Sequence, residues 1–364
     1  MLRLPPTLIA VAALALSSCA TPVARSPVAG TYANPVLNAD FPDPAVLKAP
    51  DGFYYAYATQ TEIGGKWVNI QLARSPDLVT WQHLGDALPA RPGWASKTQD
   101  FWAPHVARHG DTYYMYYSAK PDAALSDDKR GLCLAVATAG GPLGPFVDIG
   151  KPLQCGEGFV NIDPMSFDDP ATGKRLLYWG SGFRPIKVQE LAPDRLSFAP
   201  GSKPVDLVPI IKDDPNQYER LVEGAWVIRR GGWYYMFYSG NNCCGREANY
   251  AVLVARSRSA TGPFQKLASA TGAPTSATGA ATSAILEKRG IWFAPGHNAI
   301  ITDAAGQDWM VYHAVDVRRA RTKAADAVNT RRIMLIDPIV WRDGWPRIEN
   351  NGPSTERKRA PRVR

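Results

Sequence analysis

An aromatic segment recurs five times along this 364-residue chain: FYYAYAT (53–59), YYMYYSA (113–119), LLYWGSG (176–182), WYYMFYSG (233–240) and WMVYHAV (309–315). A turn containing Gly, Asp or Lys precedes each copy, and an aliphatic run such as VNIQLARS or YAVLVARS follows it. Most units then close on an aromatic residue: Trp81, Phe146, Phe198, Phe264 or Trp341. Each unit predicts a strand, a turn, an aromatic strand, a loop, an aliphatic strand and a short outer strand, which together make one four-stranded blade. Five such units predict an all-β, five-bladed β-propeller in a single domain, with blades near 43–88, 102–150, 161–206, 222–268 and 295–345. A β-sandwich of this size would have no need of a self-similar unit of about sixty residues. The 31 Gly and 31 Pro agree with many turns and argue against long helices.

The inner strands of a propeller surround its axis, so residues at matched positions in the five blades converge. In this sequence those strands open DPAV (Asp43), PHVA (His105), DPMSF (Asp163), EGAWV (Glu223) and GHNAI (His297), spaced by 62, 58, 60 and 74 residues. Acids and histidines are scarce in this chain, and desolvation penalises charge at a crowded axis. Five of them at five matched positions therefore predict a site. A single Asp before Pro could equally be a turn carboxylate, so the weight rests on the set.

The strings FPDPAV, WAPH, NIDPMSF, VEGAWV and APGHN resemble those of glycoside hydrolase family 43, the arabinanases and xylosidases built on five-bladed propellers. The resemblance runs from about Asn34 to Arg347. It implies a general base at Asp43 and a general acid at Glu223, and it implies that His297 faces a central channel and helps hold a structural calcium ion or a water cluster. No cofactor is implied for the chemistry itself. Imidazole is a poor calcium ligand, which favours a water-mediated role for His297. His105 stands where many members carry an acid, so it is assigned to substrate contact and not to proton transfer.

Glycoside hydrolysis needs an acid for the departing oxygen and, where configuration inverts, a base for the attacking water. The base must be ionised and the acid protonated at one pH. Asp163, between them in blade order, is expected to raise the pKa of Glu223 by like-charge repulsion. Sugar rings stack on aromatic faces, so Phe101 and Trp102 are candidate platforms, and Trp67, Trp94 and Phe183 are candidates for the cleft rim. The remaining aromatics, and His313 with them, are expected to be packing. The NNCCG loop (241–245) is most like arabinan-directed members. The substrate is thus expected to be a plant cell-wall α-1,5-linked L-arabinan or its oligosaccharides. The alternatives are β-xylosidase or xylan-debranching activity and, more remotely, a non-catalytic carbohydrate-binding propeller, against which the intact acid–base set argues.

The net charge of +8 does not form a nucleic-acid groove. It concentrates in the C-terminal ERKRAPRVR, expected to be a solvated tail over 349–364, and in 316–332, expected to be an exposed loop that includes Arg331 and Arg332. At the other end, Arg3 and the apolar run 8–16 end in LSSC, which resembles a bacterial lipobox. This predicts a signal peptide over 1–19, a flexible tether over 20–33, the catalytic propeller over 34–348, and an exported monomer touching a membrane only through a lipid on Cys19. The other four cysteines predict a Cys133–Cys155 disulfide in an oxidising compartment, with Cys243 and Cys244 either bridged or reduced. Zinc spacings, H-E-x-x-H, G-x-S-x-G and the P-loop pattern are absent.

Overall fold

A four-stranded blade carrying aromatic side chains on both faces cannot cover itself, so each blade packs against the next until the ring closes. In the computed structural model, residues 30–180, 182–214, 218–245, 248–271, 281–319 and 331–363 are described, and they form the five-bladed propeller. From the inner strand outward, blade 1 consists of Ala45–Lys48, Tyr54–Ala58, Gln71–Ser75 and Gln82–Asp86. Blade 2 opens with Phe101–His109, Thr112–Ala119 and Cys133–Ala139. Blade 3 runs from Met165–Asp168 to Val205–Val208. Blade 4 opens with Val222–Arg230 and Trp233–Gly240, and blade 5 with Trp292–Thr302 and Asp308–Asp316. Neighbouring strands are antiparallel throughout. The helical content includes one five-residue α-helix, Leu267–Thr271. The signal peptide, the lipobox, most of the tether and most of the basic 316–332 stretch lie outside the described residues.

The repeated aromatic strand is explained by contacts between blades. The Tyr57 hydroxyl donates to Pro142 O of blade 2 at 2.5 Å, and Tyr116 to Arg195 O of blade 3 at 3.0 Å. Tyr178 donates to Ala260 O of blade 4 at 2.7 Å, and Tyr235 to Gly344 O of blade 5 at 2.6 Å. Each ring fills the space between two sheets while its hydroxyl reaches a turn of the next blade. Tyrosine thereby supplies apolar area and a satisfied polar tip together.

The C-terminal segment is not a solvated tail. Lys358–Arg359 pairs with Thr31–Tyr32, and Ala360 and Val363 pack on the cluster between blades 5 and 1. Asp337, fully buried in blade 5, accepts from the Tyr312 hydroxyl at 2.7 Å, from Ser354 N at 3.1 Å and from Asn34 Nδ2 at 3.2 Å. Lys358 Nζ lies 3.6 Å from the same carboxyl. One buried acid therefore holds both terminal segments, with Lys358 the tail cation beside it. Asp337→Ala should lower the unfolding free energy by about 2–4 kcal/mol, because several buried donors lose one acceptor. Urea denaturation at neutral pH measures this, and Asp337→Asn should recover part of the loss.

Candidate active site

Each inner strand enters the axis through a residue in the left-handed region of backbone space: Asp43, Ala103, Asp163, Gly224 and His297, with φ of 57°, 46°, 56°, 60° and 47°. The register slips beside them in blades 2, 4 and 5, as at a β-bulge, which re-aims side chains toward one face. In sequence the match reads FPDPAV, FWAPHV, NIDPMS, VEGAWV and PGHNAI. This corrects the sequence alignment in two blades. The counterpart of Asp43 in blade 2 is Ala103, not His105, and in blade 4 it is Gly224. Glu223 holds the preceding position, shared with Pro42, Trp102 and Ile162, and all four line one cleft of about 560 Å³.

The strained residues are clasped by the neighbouring blade. Ala103 N donates to Thr59 Oγ1 at 2.8 Å, Asp163 N to Ser118 Oγ at 3.2 Å, and His297 N to Ser239 Oγ at 2.8 Å. Asp43 N donates to His313 Nδ1 at 3.1 Å. Thr59, Ser118, Ser239 and His313 occupy the same place near the end of the aromatic strand. In blade 3 that place is Gly180, which has no side chain, and Gly224 N donates instead to the Asp163 carboxyl.

Asp43, Asp163, Glu223 and His297 meet at the floor of the cleft. Asp43 Oδ1 lies 2.8 Å from Arg332 Nη1 and 3.4 Å from His297 Nδ1, while Oδ2 accepts from Thr59 Oγ1 at 2.6 Å. Burial alone would raise the pKa of Asp43, but the Arg332 charge and the two histidines overcome it and hold the carboxyl well below the ordinary range. Glu223 moves the other way. Burial, reinforced by the Asp43 charge, lifts it to about 7 against a hydrogen bond from the Tyr250 hydroxyl at 2.7 Å. Two carboxyls in one cleft thus differ in protonation at neutral pH.

The expected influence of Asp163 on Glu223 runs in reverse. Asp163 is itself pushed well above its usual value, by burial first, then by the charges of Glu223 and Asp43. The rise of Glu223 comes from burial and from the Asp43 charge.

Several other expected residues are placed differently. Trp102 lines the cleft, but Phe101 points the opposite way from the same strand, is fully buried and stacks on Tyr117; it is core, not a sugar platform. His105 lies beneath the cleft floor. Its Nδ1 accepts from Ser166 N at 3.3 Å, its ring meets Trp226 edge-on, and burial lowers its pKa to about 3. It therefore does not face a substrate. Phe183 is 57% exposed and packs edge-on against Phe159, which itself lines the cleft, so Phe183 supports a wall and does not form one. Trp67, 52% exposed on the hairpin of Thr61–Ile63 and Lys66–Val68, does line it. Trp94 packs on the core between blades 1 and 2 and donates to Asp148. Cys133 is bonded to Cys155, and Cys243 to Cys244, the latter pair lining the cleft with Asn242.

Arg332, His313, Tyr250 and Thr59 escaped the sequence reading. Arg332 was assigned to a solvated loop and His313 to packing, yet both touch Asp43. The available signal was the aligned end of the aromatic strand, where His313 interrupts a series of Thr and Ser.

The residues present do not make a calcium site. Calcium takes six to eight oxygen ligands. The axial cavity lined by His297 and Asn298 measures about 10 Å³, room for about one water. Among the described residues no three His, Cys, Asp or Glu side chains converge at ligand spacing.

The cleft, the paired carboxyls and the propeller can be set beside known proteins. The sequence is 27% identical over 346 residues to a probable arabinan endo-1,5-α-L-arabinosidase A of Aspergillus flavus, covering 91% of this chain and 99% of the relative. It is 25% identical to an extracellular exo-α-(1→5)-L-arabinofuranosidase of Cellvibrio japonicus, covering 85% and 86%. A crystal structure of a thermostable family-43 glycoside hydrolase superposes with a TM-score of 0.70 at 29% identity, covering 91% of this chain and 99% of that one. The sequence profile of glycosyl hydrolases family 43 matches residues 32–346. That span takes in the inner strands of all five blades and every residue of the cleft floor, and the chain belongs to glycosyl hydrolase family 43.

Proposed function

We propose that this glycoside hydrolase cleaves α-1,5-linked L-arabinan or its oligosaccharides with inversion at the anomeric carbon, with Asp43 as general base and Glu223 as general acid. The observation that carries the reading is the opposed protonation of the two carboxyls: Asp43 held ionised by Arg332, Glu223 raised to about 7 in the same cleft. In the reaction, Asp43 takes a proton from a water molecule while the oxygen of that water bonds to the anomeric carbon. The glycosidic bond breaks, and its oxygen leaves with the proton of Glu223. Proton exchange with solvent then restores both groups. Asp163 holds the Gly224 N–H and so the backbone beside Glu223. Trp67 and Trp102 offer apolar faces to sugar rings. The activities of the relatives support arabinan as the substrate, and the extracellular relative supports export, with the lipid on Cys19 as the proposed anchor.

Incubation with linear arabinan, arabinoxylan and xylo-oligosaccharides, followed by product chromatography and NMR of the first-formed anomer, tests this reading. Inverted arabinose products are expected. Turnover of xylan alone would transfer the activity to xylosidase chemistry, and a retained anomer would remove Asp43 from the role of base.

A further inference from the structure

Three of the four side-chain clasps are hydroxyls, and the fourth, on Asp43, is His313. The exception lies at the most consequential place on the axis. His313 is fully buried; its Nδ1 accepts from Asp43 N and lies 3.3 Å from Asp43 Oδ1. Its ring stacks on Tyr250, with centroids 5.7 Å apart and planes 7° from parallel. Tyr250 is buried as well, and its hydroxyl donates to Glu223 Oε1 at 2.7 Å. Gly296 fits this arrangement, since a Cβ there would stand 2.0 Å from Tyr250 Cδ1. Two stacked rings from different blades therefore end, on one side, at the backbone and carboxyl of Asp43 and, on the other, at the carboxyl of Glu223.

We infer that His313 and Tyr250 form a stacked pair of positioning residues that holds the base and the acid of the reaction in one rigid frame. Neither touches the reacting atoms; each acts through a carboxyl. A serine clasp would satisfy the Asp43 N–H but is too short to reach the carboxyl and stack on a tyrosine as well. The inference rests on the assignment of Asp43 and Glu223 proposed above. Burial lowers the pKa of His313 to about 4, so at neutral pH it acts as a hydrogen-bonding orienter and not as a counter-ion. The charged and titratable groups facing the pair are Asp43, Asp163, Glu223, His297 and Arg332, and the hydroxyl of Tyr250 favours the ionised form of Glu223.

Tyr250→Phe keeps the ring and its stack and removes one hydrogen bond to Glu223. The alkaline limb of kcat/KM should then move upward by about one pH unit, the scale of a single hydrogen bond to a charged group. His313→Ala should lower kcat by about 10- to 100-fold on good and poor leaving groups alike with KM little changed, because the Asp43 N–H loses its acceptor and the base its fixed position. His313→Asn, whose side-chain oxygen can take the place of Nδ1, should recover most of the rate. Tyr250→Phe is a conservative change in a packed core, so its profile decides the matter even where His313→Ala folds poorly. An unmoved alkaline limb in Tyr250→Phe overturns the inference, as does an Asn variant no better than the Ala variant. Glu223→Gln measured in parallel separates the two levels: if it still turns over unactivated oligosaccharides, the assignment of the acid fails, and if it does not while Tyr250→Phe changes nothing, only the frame fails.

Discussion

Asp43→Ala is expected to lose about 10³- to 10⁴-fold in kcat on every glycoside, whatever its leaving group, because water activation is needed in each case. Burial and the charges of Glu223 and Asp43 push Asp163 well above the ordinary carboxyl range, and Glu223, raised to about 7, is the proposed acid. Added azide should restore part of the rate with aryl glycosides and give a glycosyl azide of inverted configuration, since azide needs no base. Steady-state kinetics with and without azide measure both effects, and a variant that keeps its rate without azide would remove Asp43 from the mechanism. The sign of the pH effect follows from the neighbours. Asp43 must be ionised and its pKa is depressed, so the acidic limb of the wild type lies at low pH. Arg332→Gln removes the strongest stabilising charge and should move that limb upward.

Glu223→Gln is expected to split the substrates. Unactivated arabino-oligosaccharides should slow by about 10³-fold, whereas nitrophenyl glycosides, which leave with little protonation, should stay within about tenfold of wild type. Glu223 has to hold its proton, and its pKa is raised to about 7, so wild-type activity should fall as pH rises through about 7. That limb should vanish in the Gln variant. Asp163→Asn provides an internal contrast. The rise of Glu223 is set by burial and the Asp43 charge, and Asn can still accept the Gly224 N–H, so the limb should stay near its wild-type position with a modest loss of rate. A limb that moved to lower pH would show that Asp163 carries a charge beside Glu223 after all.

The propeller was legible because its signal is local and repeated. Tyr57, Tyr116 and Tyr178 recur at one place in the unit, each bridging to the next blade. The acids Asp43, Asp163 and Glu223 were legible because charge has little reason to lie on an axis unless it is used. Misreadings arose where a one-residue offset or a long-range contact decided the outcome. WAPH aligned on its histidine hides that Ala103 is the bulged residue, and the offset puts His105 beneath the floor. Phe101 and Trp102 are adjacent and chemically alike, yet strand alternation sends one to the core and the other to the cleft.

By itself the sequence determined the number of blades and the order of their strands, since each follows from a short pattern read within one repeat, and it singled out Asp43, Asp163 and Glu223 as acids that meet in one cleft. The tertiary structure alone decided the electrostatics. Arg332 and Asp43 are 289 residues apart, His313 and Asp43 270, and the Lys358–Arg359 strand closes on the Thr31–Tyr32 strand at the other end of the chain. Contacts between the first and last blades have no local signature, and the protonation of a buried carboxyl depends on which distant charges the closed ring sets beside it.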